Sequence, residues 1–268
     1  MREVEISQIN LSTQTVEHKK DVVAEEVPLH IFVNELRYVT ILCSPSQLKE
    51  LALGHVLSEG LVKSVNEIRE VNLEAGGKCQ ILLKHGVDAE KRISVSQPFA
   101  RLVISACGSQ DYWPLPRLVD RINLPKVTSD LKVDANVILE SVRQLNTLAK
   151  TFRETGGVHI AALFSAKGEL MASAEDVGRH NAVDKVIGVG VLKRLNFESC
   201  FLALSGRLTG DMVLKAARIG ISLVASLAAA IDSGIEAAQL TGMTLSGFVR
   251  GKRINVYTHP ERIMVIKP

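Results

Sequence analysis

From residue 159 onward the chain alternates short apolar runs with segments of helical period, and few architectures accept that order. Strands are predicted over 159–165, 169–174, 201–205, 222–226, 244–249 and 253–258. Helices are predicted over about 180–195, 211–219 and 233–240. Another helix precedes them over about 134–152, with Val137, Ile138, Val142, Leu145, Leu148 and Ala149 on its apolar face and Thr155-Gly156-Gly157 as its stop. Strands and helices in alternation bury their apolar faces against each other in layers, which makes this half a layered α/β unit.

The first half reads differently. Runs 26–33 and 36–42 form a β-hairpin turning at Asn34-Glu35. Ser44-Pro45-Ser46 opens a helix carrying Leu48, Leu51, Ala52, His55, Val56 and Leu57, with Gly60 at its C-cap and His55 as a partly buried core histidine. Strands follow over 67–73, 79–85 and 91–96. Between 97 and 125 the pattern weakens into a loop with four prolines and the segment Ser105-Ala106-Cys107-Gly108-Ser109-Gln110-Asp111. The chain is therefore α/β, α+β overall. A strand-rich N-terminal domain spans 1–127 and a layered α/β domain spans 128–268, with the boundary near Pro125 to Asp130.

Composition narrows the function classes. The net charge is +3 over 268 residues and aromatics are 4%, so neither a dense basic stripe nor a base-stacking platform is present and no nucleic-acid partner is expected. A membrane span needs ~20 apolar residues. The longest apolar stretch, 219–231, is interrupted by Gly220, Ser222 and Ser226 and ends at Asp232, and the acidic start lacks the apolar core of a secretory signal. A cytosolic protein with no membrane partner is the expectation. Its four cysteines, 43, 79, 107 and 200, should then be reduced thiols.

Three of those cysteines, Cys43, Cys79 and Cys200, sit in strand-like apolar runs and read as small core hydrophobes. Cys107 precedes Gly108 in a loop, where nearby cations or free N–H groups lower a thiol's pKa and make it a nucleophile; its alternative is an idle, partly exposed thiol. No Cys-x-x-Cys pair exists, and His159 and His180 with Glu175 and Asp176 match no standard spacing, so no metal site is read. The zinc deaminase signature is also missing, since Ile160-Ala161 follows His159.

Three polar sets remain. Glu175-Asp176-Val177-Gly178-Arg179-His180-Asn181 falls between a strand and a helix start, where backbone N–H groups and Arg179 suit an anion; a capped, solvated turn is the other reading. Ser205-Gly206-Arg207-Leu208-Thr209-Gly210-Asp211 repeats that strand-to-helix context on the edge where open α/β sheets bind ligands. Phe248-Val249-Arg250-Gly251-Lys252-Arg253 packs three cations and a glycine into a turn, either a phosphate cradle or a charged hairpin tip; it is not a P-loop.

These residues resemble the FdhD family, the formate dehydrogenase accessory sulfurtransferases, from about Val23 to Ile263. The segments that carry the likeness are Val23-Ala24-Glu25-Glu26-Val27-Pro28-Leu29, Ala52-Leu53-Gly54-His55-Val56-Leu57-Ser58-Glu59-Gly60 and Thr155-Gly156-Gly157-Val158-His159. The long string Glu175-Asp176-Val177-Gly178-Arg179-His180-Asn181-Ala182-Val183-Asp184-Lys185 is the most specific, joined by Ser205-Gly206-Arg207 and Tyr257-Thr258-His259-Pro260-Glu261-Arg262. The resemblance implies sulfur transfer from a cysteine desulfurase to the molybdenum bis-guanine-dinucleotide cofactor, which then enters the formate dehydrogenase apoenzyme. It also implies a homodimer and a C-terminal fold similar to cytidine deaminases without their zinc. By the same resemblance Cys107 holds the persulfide. The turn comprising Phe248, Val249, Arg250, Gly251, Lys252 and Arg253 meets the guanine-dinucleotide phosphates, and the loops bearing Arg179, His180, Ser205 and Arg207 are expected to line the same pocket.

One departure bears on chemistry. The family's loop runs Cys-Gly-x-Cys-Gly, and here the second cysteine is Gln110. A second thiol would attack the persulfide and expel sulfide, leaving a disulfide. Without it, the outer sulfur passes directly to the metal or an external thiol assists. Two rivals follow from that change: a chaperone that binds the same cofactor but moves no sulfur, and a thiol hydrolase pairing Cys107 with His159 or His180.

Overall fold

The computed structural model describes residues 1–94 and 124–265. The chain opens with a hairpin of β1 (Arg2–Asn10) and β2 (Thr15–Val23), almost wholly exposed on both faces. A four-stranded sheet follows, built from β3 (Val27–Val33), β4 (Leu36–Cys43), β5 (Ile68–Glu74) and β6 (Lys78–Leu83) in the order β4-β3-β6-β5. Asn34, at positive φ, turns the β3–β4 hairpin where expected. Helix α1 (Leu48–Ser58) covers this sheet, packing Leu51, Leu53, Val56 and Leu57 with Leu29, Ile31, Cys79 and Ile81.

The second half contains β7 (Val133–Asp134), α2 (Ala135–Leu148), α3 (Lys150–Thr155), β8 (His159–Ser165), β9 (Leu170–Asp176), α4 (Arg179–Leu192) and β10 (Cys200–Leu204). It continues through α5 (Gly210–Arg218), β11 (Leu223–Ser226), α6 (Asp232–Thr241), β12 (Thr244–Arg250), β13 (Arg253–Thr258) and β14 (Ile263–Met264). Six strands form one mixed sheet in the order β13-β12-β11-β10-β8-β9; β10, β11 and β12 are parallel and the other pairings antiparallel. Successive residues point to opposite faces. Ala161, Leu163, Leu202, Leu204 and Val224 therefore pack under α4, α5 and α6, and Ala162, Phe164, Phe201, Ala203 and Ala225 pack under α2. The layered α/β reading is what the chain adopts.

Two local expectations need correction, and one element was not foreseen. The strand expected over 91–96 is not found in its described part: 89–94 are helical, with Ala89 and Ile93, four apart, buried in the first core, and 95–96 lie outside the described residues. The helix foreseen over 134–152 is two, α2 and α3, broken at Ala149, whose ψ of 74° leaves the helical region. Asp134 caps the first of them, its Oδ1 accepting from Asn136 N at 2.8 Å. The β1–β2 ribbon has no buried face, so no apolar alternation announces it.

The two sheets meet through α1 and α4. A Cβ on Gly54 would lie 1.7 Å from Asp184 O, and one on Gly188 would lie 1.9 Å from Glu50 O. Two glycines facing opposite backbones let the helices cross closer than side chains allow.

Candidate functional site

One edge of the six-stranded sheet gathers the polar loops. In the register of the sheet, Leu204 is opposite Ala161 and Ser226, and Ala225 is opposite Ser246. The start of β8, the ends of β10 and β11, and the outrun of β12 therefore share an edge. His159 pairs with Asp176 at the same end, so α4 begins there with Arg179 and His180. The sheet topology thus gives physical form to the rule that α/β ligands sit outside strand carboxyl ends.

Four of the anticipated residues come together at this edge. Ser205 Oγ accepts from Ile160 N at 3.1 Å and lies 3.3 Å from His159 Nδ1. Arg179 lies across Gly206: a Cβ there would be 3.0 Å from Arg179 Cβ and 3.3 Å from its Cδ. Arg179 Nε is buried with no hydrogen-bond partner among the described residues. His180 Nε2 pairs with the Asp211 carboxylate. Burial, then the charges of Arg179, His180 and Arg207, pull the His159 pKa below its ordinary value. Burial works to raise the Asp211 carboxyl, but the His180 hydrogen bond and charge, with the Thr209 hydroxyl, outweigh it and hold that carboxyl low. The result is a sheet edge with two guanidiniums, two imidazoles and one carboxylate, chemistry that suits an anion.

The turn between β12 and β13 stands on the same edge, two strands from β10, hence about 10 Å across the sheet. Phe248 takes a positive φ of 50°, and Gly251 takes 64° where the chain reverses. Arg250 and Arg253 face each other across the hairpin, with guanidiniums 5.1 and 5.9 Å from the Phe248 ring centre. Arg250, Gly251, Lys252 and Arg253 are exposed, whereas the Val249 side chain is in the core beneath α2. Arg143 of α2 donates to Gly251 O at 2.5 Å, and Phe248 N donates to Ala228 O at 2.9 Å, which ties the turn to the scaffold. The cluster and the turn are thus separate groups of cations along one edge.

Much of the specific polar string serves the scaffold instead. Glu175 accepts from Thr151 N and Phe152 N at 3.0 and 2.9 Å, capping α3. Asp176 and Lys185 form a fully buried pair at 2.6 Å; Asp176 also accepts from Ser44 N at 3.0 Å, and Lys185 donates to Ser44 O at 3.0 Å. Asn181 Nδ2 donates to Leu42 O and Asp176 Oδ1. Asp184 pairs with Lys215 and with His55, so His55 is the partly buried histidine expected. Of that string, only Arg179 and His180 face the cluster.

Sequence reading takes His159 as orienting a loop or binding a ligand, and names Asp211 only as the last member of the second polar set, with no role of its own. An aspartate in the first turn of a helix ordinarily reads as support for the helix dipole, and only the fold brings it to His180. Cys107 and Gln110 lie outside the described residues. Cys43, Cys79 and Cys200 are buried; desolvation pushes all three thiols up, Cys43 and Cys79 to about 11. Among the described residues no helix is long and apolar enough to cross a membrane.

Comparison with known proteins finds relatives along nearly the whole chain. The model of the FdhD/NarQ family matches residues 24–264. The sulfur carrier protein FdhD of Sulfolobus acidocaldarius is 38% identical over 264 residues, covering 98% of each chain. That of Methanothermobacter thermautotrophicus is 38% identical over 263 residues, again 98% of each. That of Bacillus subtilis is 32% identical over 245 residues and 91% of each. A crystal structure of a protein assigned as a formate dehydrogenase accessory protein from Desulfotalea psychrophila superimposes with a TM-score of 0.79 at 28% identity, covering 98% of this chain and 99% of that one.

Proposed function

The chain belongs to the FdhD/NarQ family, and from that premise we propose that it is a sulfur carrier which loads a persulfide on Cys107 and passes the sulfur to a guanine-dinucleotide molybdenum cofactor. The observation that carries the reading is the alignment of two cation groups along one sheet edge. Exposed Arg250, Lys252 and Arg253 form one group, and Arg179, His180 and Arg207 the other. A dinucleotide cofactor presents several phosphates at a spacing that two separated cation groups can share. Arg fits phosphate with a planar fork of donors, and charge-assisted hydrogen bonds are roughly twice as strong as neutral ones.

In this reading the Cys107 thiolate attacks the outer sulfur of a cysteine desulfurase persulfide. The S–S bond of the donor breaks, the desulfurase thiolate leaves, and Cys107 holds the sulfane sulfur. Gln110 cannot resolve that persulfide, so the electrons that release sulfide come from the metal or from an external thiol. The sulfurated cofactor is the product handed to a formate dehydrogenase apoenzyme. The carrier works as a cytosolic homodimer.

The test pairs two readouts. The protein is incubated with a cysteine desulfurase and cysteine, and guanosine diphosphate binding is measured in parallel. One added sulfur on the Cys107 peptide, absent in Cys107→Ser, with nucleotide binding retained in that variant, is the expected result. Formate dehydrogenase maturation that survives Cys107→Ser overturns sulfur transfer and leaves the cofactor-chaperone reading. The Gln110 substitution is the observation that favours this second reading.

A further inference from the structure

The two histidines of the cationic cluster have different surroundings. His159 is half-buried; burial first, then the charges of Arg179, His180 and Arg207, pull its pKa below the ordinary value and favour the neutral ring. His180 instead has a carboxylate against one ring nitrogen: its Nε2 pairs with Asp211, at the start of α5. Asp211 is mostly buried and itself tethered by the Thr209 hydroxyl. Its carboxyl is held below the usual range, so it is an anion at neutral pH; burial opposes this, and His180, Thr209 and Lys215 outweigh it. With Nε2 committed to Asp211, Nδ1 is the ring atom available to a ligand.

The charge balance points the same way. Asp211 on α5 pairs with His180, and His159 on β8, which feels His180, also feels the charges of Arg179 on the helix of His180 and of Arg207 after β10, so these groups form one cluster. Two guanidiniums against one carboxylate leave a single positive charge. The terminal phosphate of a nucleotide brings about two negative charges at neutral pH. One more proton on the cluster restores the balance, and His180 is the imidazole with a counter-charge already in place.

Resting on the nucleotide reading of this edge, we infer that Asp211 is a positioning residue: it tethers His180 at Nε2 and lets the ring take a solvent proton at Nδ1 as a phosphate enters, so that nucleotide binding is coupled to proton uptake. No other group needs to change its charge. Asp211 acts through His180 and does not touch the ligand.

The coupling is measured by titrating guanosine diphosphate into the full chain at pH 7.5 by calorimetry, in buffers of different ionisation heat. The slope of the observed heat against buffer heat counts protons taken up. Wild type takes up protons. Asp211→Asn keeps an acceptor at the same place but loses the charge; its uptake disappears and its affinity falls about tenfold. His180→Gln also loses the uptake, and thermal melts of both variants confirm that they are folded. Binding to wild type without uptake, or uptake unchanged in either variant, overturns the inference while leaving the nucleotide reading intact. No binding of guanosine diphosphate to wild type overturns the nucleotide reading and this inference with it.

Discussion

Replacing Lys215 by methionine removes the charge at the centre of the contact between the two halves. Lys215 is 3% exposed. Its ammonium lies 2.9 Å from both oxygens of Asp184 on α4, 2.5 Å from Glu59 just after α1 and 3.1 Å from Ser58 Oγ. His55 and Ser58 hold the same Asp184 carboxylate at 2.9 and 2.6 Å. Burial works to raise the Asp184 and Glu59 carboxyls, but the Lys215 charge outweighs it and both are held low. Their native stabilisation is thus present above the unfolded values of 3.8 and 4.5 and is lost only as pH falls through the depressed native values. In Lys215→Met the opposing charge is gone, burial dominates, and both carboxyls shift up. The variant therefore carries a cost at neutral pH that is relieved as pH falls and the carboxyls protonate.

Removing one partner of a buried ion pair costs about 3–5 kcal/mol, and one ammonium here serves two carboxylates, so about 5 kcal/mol is expected at pH 7.5. At about 2–4 °C per kcal/mol for a chain of this size, the midpoint drops by about 10–20 °C. Thermal unfolding followed by far-UV circular dichroism at pH 7.5 and pH 5 reads both numbers. The gap to wild type should shrink to roughly half at pH 5. Adding Asp184→Asn and Glu59→Gln to Lys215→Met should restore stability at pH 7.5, because no unpaired buried charge remains. A gap of the same size at both pH values would refute the electrostatic reasoning and assign the loss to packing.

Two further outcomes are expected. Gly188→Ala drives a Cβ to 1.9 Å from the Glu50 carbonyl, which neither helix backbone can yield cheaply, so it should cost about 3 kcal/mol or more in denaturant unfolding. Gly156→Ala meets nothing within 4 Å among the described residues and should cost only the strain of its positive φ, about 1 kcal/mol; equal losses in the two would refute the close-crossing argument. Iodoacetamide at pH 8 should leave Cys43, Cys79 and Cys200 unmodified in the native protein and label all three in denaturant, since burial raises their pKa and blocks access. Peptide mass mapping checks this.

Where an element buries one face, its period shows in the sequence. β3 alternates into a core, β8 and β10 are unbroken apolar runs buried on both faces, and α2 carries Ile138, Val142 and Leu145 at helical spacing, so those elements were legible. Residues 91–96 were not, because Ile93 and Val95 in a short run satisfy a strand period, whereas Ala89 and Ile93 satisfy the helical one that the core selects. The β1–β2 ribbon buries no face and carries no such signal.

The site shows the same division. Its location was legible, since strand-to-helix junctions rich in Arg, His and Ser fall at a sheet edge by topology alone. Which charges face a ligand was not. Glu175, Asp176, Asp184 and Lys185 look like site residues by type, yet each is spent on a cap or a buried pair. The partners that decide this are distant: Ser44 is more than 130 residues from Asp176, and Ser58 is 157 from Lys215. Local spacing governs hydrogen bonds within helices and hairpins, so the sequence by itself determined the order and type of most elements. Burial is a property of the assembled core. Only the tertiary structure decided that Lys215 neutralises Asp184 and Glu59, that His180 meets Asp211, and that Arg179 has a buried Nε left without a partner among the described residues.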